Sequence, residues 1–458
     1  MIRKHIFALP AVFALLLSGC FDSDSTLPTP TEPPPTSTVN ARVQLVHAVK
    51  DAPNVNVTAD SFAIVQNLGF AQASEVLPLQ PDTYSVAVDA ILPGGSTATV
   101  IGPLDLTVQT ASRYTIFAVG NVAADTLEPV VVPGDLTEVS SGKIRLQVVH
   151  AAAGAPEVDI HVSAPDAELG SPLATLMFKD STDYVEVDPG NYQVRIALPG
   201  TDTVVFDSGS LDLTVAGTDL VVAAIDSRFS GDSPVSLLAV GRDGSEADII
   251  DSNATSSVRV VHNVSDAPAV DVIVNDAITL VDALAFPDFT AYTTVAPDTY
   301  NVKVAADADN SVVVIDEDLT LQAGAYYSVL AVGALGEDTV EPLVLVDMPR
   351  RVATEAKVRI VHGSTLAGNV DIYVSASEDI SDVEPAFVDV PFKAETGYVS
   401  LAAGDYVVTV TPTGSKMAAI GPVTVTLEAN SIYTAIARDG AGLTADVGLI
   451  LMDDFVPL

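Results

Sequence analysis

Beyond about residue 40 the chain alternates apolar and polar positions in short runs, such as Tyr84-Ser85-Val86-Ala87-Val88, broken by clusters of Pro, Gly, Asp and Asn. Successive side chains of a strand point to opposite faces, so period-two alternation rich in β-branched residues predicts half-buried strands. No long stretch past the N-terminal segment has helical periodicity. One phrase is written four times: RVQLVHAVKDAPNVNV at 42–57, IRLQVVHAAAGAPEVDIHV at 144–162, VRVVHNVSDAPAVDVIV at 258–274 and VRIVHGSTLAGNVDIYV at 358–374. Its histidines, His47, His150, His262 and His362, are spaced by roughly a hundred residues, the size of an immunoglobulin-like sandwich and far above a solenoid repeat.

The remainder of the unit repeats as well. A turn followed by tyrosine recurs at Pro81-Asp82-Thr83-Tyr84, Pro189-Gly190-Asn191-Tyr192, Pro297-Asp298-Thr299-Tyr300 and Ala403-Gly404-Asp405-Tyr406. Later positions hold Leu106, Leu213, Leu319 and Val425, then Tyr114, Tyr327 and Tyr433, with Val221 taking the tyrosine's place in the second copy. The expected fold is all-β: four tandem antiparallel β-sandwiches of about seven strands each, set in a row. Their expected bounds are 41–138, 142–248, 256–349 and 356–458. The VVH…DAP-x-VDV phrase resembles a family of exported bacterial domains known as domain of unknown function 4397. The third copy matches that pattern best. The fourth departs most, with Leu366-Ala367-Gly368 in place of the Asp-Ala-Pro turn. The resemblance implies a β-sandwich envelope domain and no chemistry.

The first 40 residues follow a different grammar. Arg3, Lys4 and His5 precede an apolar run from Ile6 to Leu17, which ends in Leu17-Ser18-Gly19-Cys20. That run is too short to span a bilayer but fits a signal peptide. Its end resembles the lipobox of bacterial lipoproteins, which implies a signal peptide over 1–19 and lipidation of Cys20. Two or more acyl chains make a durable anchor, each buried methylene contributing about 0.8 kcal/mol. Phe21 after the cysteine, where aspartate would mark inner-membrane retention, implies an outer-membrane lipoprotein. No later segment is long and apolar enough to span a membrane as a helix. Residues 20–40 are rich in proline and threonine, a composition that favours extended tethers.

Composition narrows the function. The chain has 20 basic and 60 acidic residues, a net charge of −40. That field repels phosphate backbones, so nucleic-acid binding is not expected. Apolar residues make up 48%, enough for packed cores. A single cysteine rules out an intrachain disulfide framework.

The repeated histidines are the obvious candidates for chemistry. Each shares strand parity with apolar residues (Val43, Leu45 and His47; Val258, Val260 and His262), which places the imidazole at the end of a buried face. A structural role, pinning the turn that follows, is favoured over a metal ligand or catalytic base. Zinc sites need three or four ligands, and most copies offer one histidine. His161 falls on the opposite parity, expected to face solvent. The tyrosines Tyr84, Tyr192, Tyr300 and Tyr406 are similar to a tyrosine corner, whose hydroxyl fastens nearby backbone. Asp307, Asp309 and Asn310 faintly suggest a calcium loop but lack the glycine and terminal glutamate of an EF-hand, and the other copies place turn formers there. No cofactor is therefore expected, with calcium as an open alternative.

Nucleophile elbows, zinc-protease motifs, P-loops and dinucleotide fingerprints are absent from the sequence. The expectation is a non-enzymatic, lipid-anchored cell-envelope protein. It would act as a multi-domain stalk or a multivalent binding or adhesion protein toward an envelope protein or glycan. The alternative is a carbohydrate- or calcium-binding accessory module. The membrane would be met only through the N-terminal lipid.

Overall fold

A computed structural model describes residues 39–455; the signal-like segment, Cys20 and most of the Pro/Thr-rich stretch lie outside the described residues. In the first copy, β1 (Ala41–His47), β2 (Val55–Ala59), β3 (Phe62–Leu68), β4 (Gln72–Ala73), β5 (Leu77–Leu79), β6 (Asp82–Ile91), β7 (Thr97–Val108), β8 (Ser112–Val119) and β9 (Glu128–Asp135) make two sheets. One has the order β4–β1–β8–β9, with β5 also on β1, and the other β3–β2–β6–β7. The same two-sheet plan recurs in the other three copies, with eight to ten strands per copy rather than about seven.

Pairing is antiparallel with one recurrent exception. β1 runs parallel to β8, bringing His47 opposite Ala118. Ile144–His150 pairs in the same sense with Asp219–Asp226, Ser256–His262 with Tyr326–Val332, and Ala356–His362 with Ser431–Gly440. A parallel pair needs a long crossover, and here nearly the whole domain supplies it. The first strand is thereby bound to the next-to-last strand of its main sheet in copies 1, 3 and 4, and to the third from last in copy 2.

The four copies are not separate beads. Val43 and Leu45 of β1 point into the first sandwich's own core, while Val46 on the opposite parity joins a second cluster. That second cluster unites Phe117, Val119 and Val132 of the first copy with Val149, Val221, Ile225, Leu238 and Val240 of the second. Likewise Val261, Leu330, Val332 and Leu345 of the third copy share a core with Val361, Ile436, Ile450 and Met452 of the fourth. The main sheets therefore pack face to face, copy 1 on copy 2 and copy 3 on copy 4. Each fully buried aliphatic or Phe side chain contributes about 1.5–3 kcal/mol, so these contacts resemble a domain interior. The two pairs also touch: Arg350 Nη1 donates to the carbonyls of Lys50 (2.7 Å) and Ala52 (3.0 Å), and Ser230 N to Gly324 O (2.9 Å). Residues from Val39 on form one compact unit. Among the described residues its core clusters lie wholly within this unit, and a unit with its own hydrophobic cores folds on its own.

The pairing is written into loop lengths. Copies 1 and 3 join their second and third strands by a tight turn, Asp60-Ser61 or Asn275–Ala277. Copies 2 and 4 insert a longer loop, between Ser163 and Ala174 and between Ser375 and Phe387. Copies 1 and 3 are thus alike, as are 2 and 4, and the repeating unit of the molecule is a pair of sandwiches.

Candidate functional site

The repeated histidines occupy one geometry. The Nε2 atoms of His47, His150, His262 and His362 lie 3.0, 2.8, 2.9 and 2.7 Å from the carbonyl oxygens of Pro53, Pro156, Pro268 and Gly368, each six residues on. A carbonyl only accepts, so Nε2 carries the proton. In copies 1, 3 and 4, Nδ1 accepts the backbone N–H of Val49, Val264 and Ser364, and both ring nitrogens are then engaged in the neutral tautomer. In copy 2, Nδ1 of His150 is buried without a hydrogen bond. Burial pushes the His47 imidazole down to about 4 and lowers that of His262, because the charged form loses its hydration. The edges of Phe70, Phe178, Phe286 and Phe392 meet these rings at 6.1–6.4 Å between centroids. These phenylalanines recur once per copy, a signal the sequence reading passed over.

Tyrosines do similar work. The hydroxyls of Tyr84, Tyr192, Tyr300 and Tyr406 donate to the carbonyls of Gln80, Asp188, Ala296 and Ala402, four residues earlier. Tyr114, Tyr327 and Tyr433 accept the N–H of Gln109, Gln322 and Glu428.

The aspartate of the Asp-Ala-Pro turn has a hidden counterpart. Asp51 accepts the N–H groups of Val122 and Ala123, and Asp266 those of Leu335 and Gly336. Copies 2 and 4 lack that aspartate. Asp226 and Asp439, two positions past the residue opposite each histidine on the parallel strand, reach back instead: Asp226 takes the N–H of Gly154, and Asp439 those of Thr365 and Leu366. In copies 1 and 3 that strand position holds Gly120 and Gly333, at φ +106° and +114°. A Cβ there would lie 2.2 or 2.3 Å from the carbonyl of Thr126 or Thr339, so no aspartate fits. The same two segments are tied from opposite ends.

His161 is a correction. Its parity puts it on the outer face of its sheet, yet it is 3% exposed. The long loop after Ser163 folds over that face, and Nδ1 sits 3.2 Å from Leu169 O. Tyr373 is buried at the matching position of copy 4, with Lys416 Nζ 4.5 Å from its ring centroid.

Asp307 sits in a two-residue hairpin turn, since Ala306 pairs with Asp309, and Asp309 accepts the N–H and hydroxyl of Ser311. Asp307, Asp271 and Asp282 place oxygens within 4.8 Å of one another. Asp271 already accepts Ala283 N. Its equivalents Asp159 and Asp371 bond Gly200 N and Gly414 N of the same hairpin. The motif's second aspartate is thus a turn clamp, and the grouping assigns no cation.

Unassigned apolar space lies between the sheets. In copy 3 an apolar chamber of about 420 Å³ separates the core into two clusters, one around Val260 and Ile315 and one around Val258 and Tyr327. Copy 1 has a chamber of about 290 Å³ at the same place, between Val88, Ile101, Ile116 and Pro129. Both sizes are at or near the range of small-molecule sites. Both chambers reach the edge strands, β7 and β9 in copy 1, Asp309–Thr320 and Glu341–Asp347 in copy 3. Val131 and Val344, 42% and 39% exposed, mark matching points on the rim.

The partner copies are filled at matching register. Where copies 1, 3 and 4 have Ile101, Ile315 and Ile420, copy 2 has Phe206, fully buried. Where copies 1 and 3 have Pro129 and Pro342, copies 2 and 4 have Leu237 and Leu449. Copy 2 adds the strand Glu246–Ile249 beyond Val235–Gly241, covering what would be the open edge. In copy 4, Phe455 packs against Tyr433 at 4.8 Å, and only about 40 Å³ is left. The open interiors alternate with closed ones as proline alternates with leucine at the Pro129 position, with Phe206 filling copy 2 and Phe455 capping copy 4.

The family model described as "Domain of unknown function (DUF4397)" matches residues 41–161, 256–373 and 376–457, more than half of the chain. No curated protein matches. Among solved structures, the Bacillus anthracis TIE protein aligns at 11% identity over 84% of this chain and 65% of its own, with a TM-score of 0.16. The chain thus spans just under two thirds of that protein. A candidate cell adhesion protein of Bacteroides uniformis ATCC 8492 aligns at 9% identity over 45% of this chain and 99% of its own, TM-score 0.18. The pneumococcal glycogen-degrading virulence factor SpuA aligns at 10% identity over 63% and 37%, TM-score 0.14. Similarity at this level carries no functional argument.

Proposed function

The chain belongs to the DUF4397 family, and on that premise we propose that it is a non-enzymatic envelope protein, lipid-anchored through Cys20, that binds apolar small molecules in the first and third of its four domains. The alternation of open and filled interiors carries this reading. A fold that merely spaced a partner from the membrane would gain stability from filling every copy, as copies 2 and 4 do with Phe206, Leu237 and Phe455. Keeping Ile101, Ile315, Pro129 and Pro342 at the matching positions gives up that packing twice, in register. Ligand pockets are typically mostly apolar and concave, with few polar groups.

The geometry also changes how multivalency would work. Four beads on linkers would offer adjustable reach, whereas shared cores between copies 1 and 2 and between 3 and 4 fix the sites in a block. Two ligands would be held at a set separation, so avidity toward a membrane or partner depends on that spacing. The repeated Tyr and Asp residues and the Nε2 atom of every repeated His are engaged by backbone, which supports the non-enzymatic reading.

Titration of the 39–458 unit with N-phenyl-1-naphthylamine, a neutral probe that fluoresces in apolar surroundings, tests this. Two saturable sites per chain are expected, one of them lost in Ile315→Phe. A wild-type chain without saturable binding would overturn the reading.

A further inference from the structure

The chamber of copy 3 carries a carboxylate at an inward-facing rim position where that of copy 1 carries leucine. Glu317 pairs with Val302 across the sheet, and Leu104 and Val423 hold the matching place in copies 1 and 4. Strand parity sets Glu317 on the same face as Ile315 and Leu319, both of which line the chamber, and Glu317 lines it too. It forms no ion pair among the described residues. The one cation on these two strands, Lys303, has the opposite parity and is held on the outer face by Asp276 at 2.6 Å and Asp316 at 3.6 Å. Asp318, beside Glu317, has the outer-face parity of Asp316 and accepts Asn301 Nδ2 at 3.3 Å, and its counterpart Asp105 borders the chamber of copy 1.

Deeper in, His262 and Tyr300 are already engaged by backbone, while Thr293 and Thr294 add hydroxyls to the lining. His262 has Nε2 on Pro268 O and accepts Val264 N at Nδ1, and the Tyr300 hydroxyl is on Ala296 O. The remaining wall is aliphatic: Val258, Val260, Val272, Val302, Val304 and Val329 among others. A ligand matching this site is apolar along its length and positive at one end. A carboxylate head would meet Glu317 at the mouth of a chain already at −40.

We infer that the third domain selects amphiphiles with a cationic head, an alkylammonium being the simplest, with Glu317 as the selecting group, whereas the first domain, with Leu104 at that position, takes neutral apolar molecules. This rests on the reading of the chambers as binding sites. The juxtaposition of an unpaired rim carboxylate with a wall of valines in one copy, and of leucine with the same wall in the other, is what assigns two selectivities to one fold.

The test uses the 39–458 unit carrying Ile101→Phe, which closes the first chamber and leaves the third to be read alone; Pro129→Leu serves if the first variant does not fold. Dodecylammonium, dodecanol and dodecanoate, each below micelle formation, compete with N-phenyl-1-naphthylamine. Dodecylammonium should bind about threefold to fivefold more tightly than dodecanol at low salt, the range of an exposed ion pair. Dodecanoate should bind most weakly. Glu317→Gln should erase the ammonium advantage and leave dodecanol unchanged, and added salt should do the same. Equal binding of dodecanoate and dodecylammonium, or an order unmoved by Glu317→Gln, would overturn the head-group assignment while probe binding continued to support the chambers. Loss of probe binding itself would remove both.

Discussion

The imidazole Nε2 of His47 lies 3.0 Å from the carbonyl oxygen of Pro53, and its Nδ1 accepts the N–H of Val49. One neutral side chain thereby satisfies the backbone on both sides of the Asp-Ala-Pro turn. The neutral form is required in the folded state, where burial holds the group down to about 4, while an unfolded chain protonates it near 6.5. The unfolded state therefore binds more protons between those values, and the stabilisation is complete above about pH 6.5 and is lost as pH falls toward 4. For His47 alone the loss amounts to about 3 kcal/mol over that window. Urea unfolding of wild type and His47→Gln at pH 7 and pH 4.5 checks this: the variant should be less stable at pH 7 and should lose less on acidification. Equal losses would contradict it.

Asp266 should be needed for the turn of copy 3 and not replaceable from the other side. Its carboxylate takes the N–H groups of Leu335 and Gly336. Asp266→Ala should cost about 1–3 kcal/mol by leaving them without an acceptor. Copying the arrangement of copies 2 and 4 with Gly333→Asp should destabilise further instead of rescuing, since a Cβ at Gly333 meets Thr339 O at 2.3 Å. The denaturation midpoints of the single and double variants decide it.

Asp347 should be the keystone of the joint between copies 3 and 4. It pairs with the fully buried Arg359 at 2.5 Å and accepts the hydroxyls of Tyr292 (2.6 Å) and Ser328 (2.7 Å). Arg359 and Arg259 lie over the rings of Tyr398 and Tyr292. Asp347→Ala leaves Arg359 without its buried partner and should cost about 3–5 kcal/mol. The double variant Asp347→Leu with Arg359→Met should recover part of that loss. Thermal unfolding of the three proteins measures the difference. A single variant as stable as wild type would show that the joint does not depend on this network.

Much of the sandwich was legible in the chain. Alternation fixed which residues of β1 face the first core, and the four repeated phrases gave the number of copies. The pairing of copies was harder to see. Val46, Val149, Val261 and Val361 stand next to the histidines with the opposite parity, an apolar outer face that would be out of place on a sheet facing water. Read one copy at a time, that signal looks like noise, because the surface burying each valine belongs to the next repeat. His161 misled for a related reason: parity gives the face of a sheet but not whether a loop covers it. The chambers depend on differences between copies (Ile against Phe, Pro against Leu), and a reading that sought what the repeats share passes over them. The conserved-looking motif proved to be backbone carpentry, and the candidate site lies where alternate copies diverge.

The central claim is that copies 1 and 3 hold open apolar chambers while copies 2 and 4 are filled. Diffraction from crystals of the 39–458 unit pressurised with xenon, which enters apolar cavities, tests it most directly. The account predicts xenon between Ile101 and Pro129 and between Ile315 and Pro342, and none between the sheets at Phe206 or Phe455. Xenon in all four interiors, or in none, would contradict it.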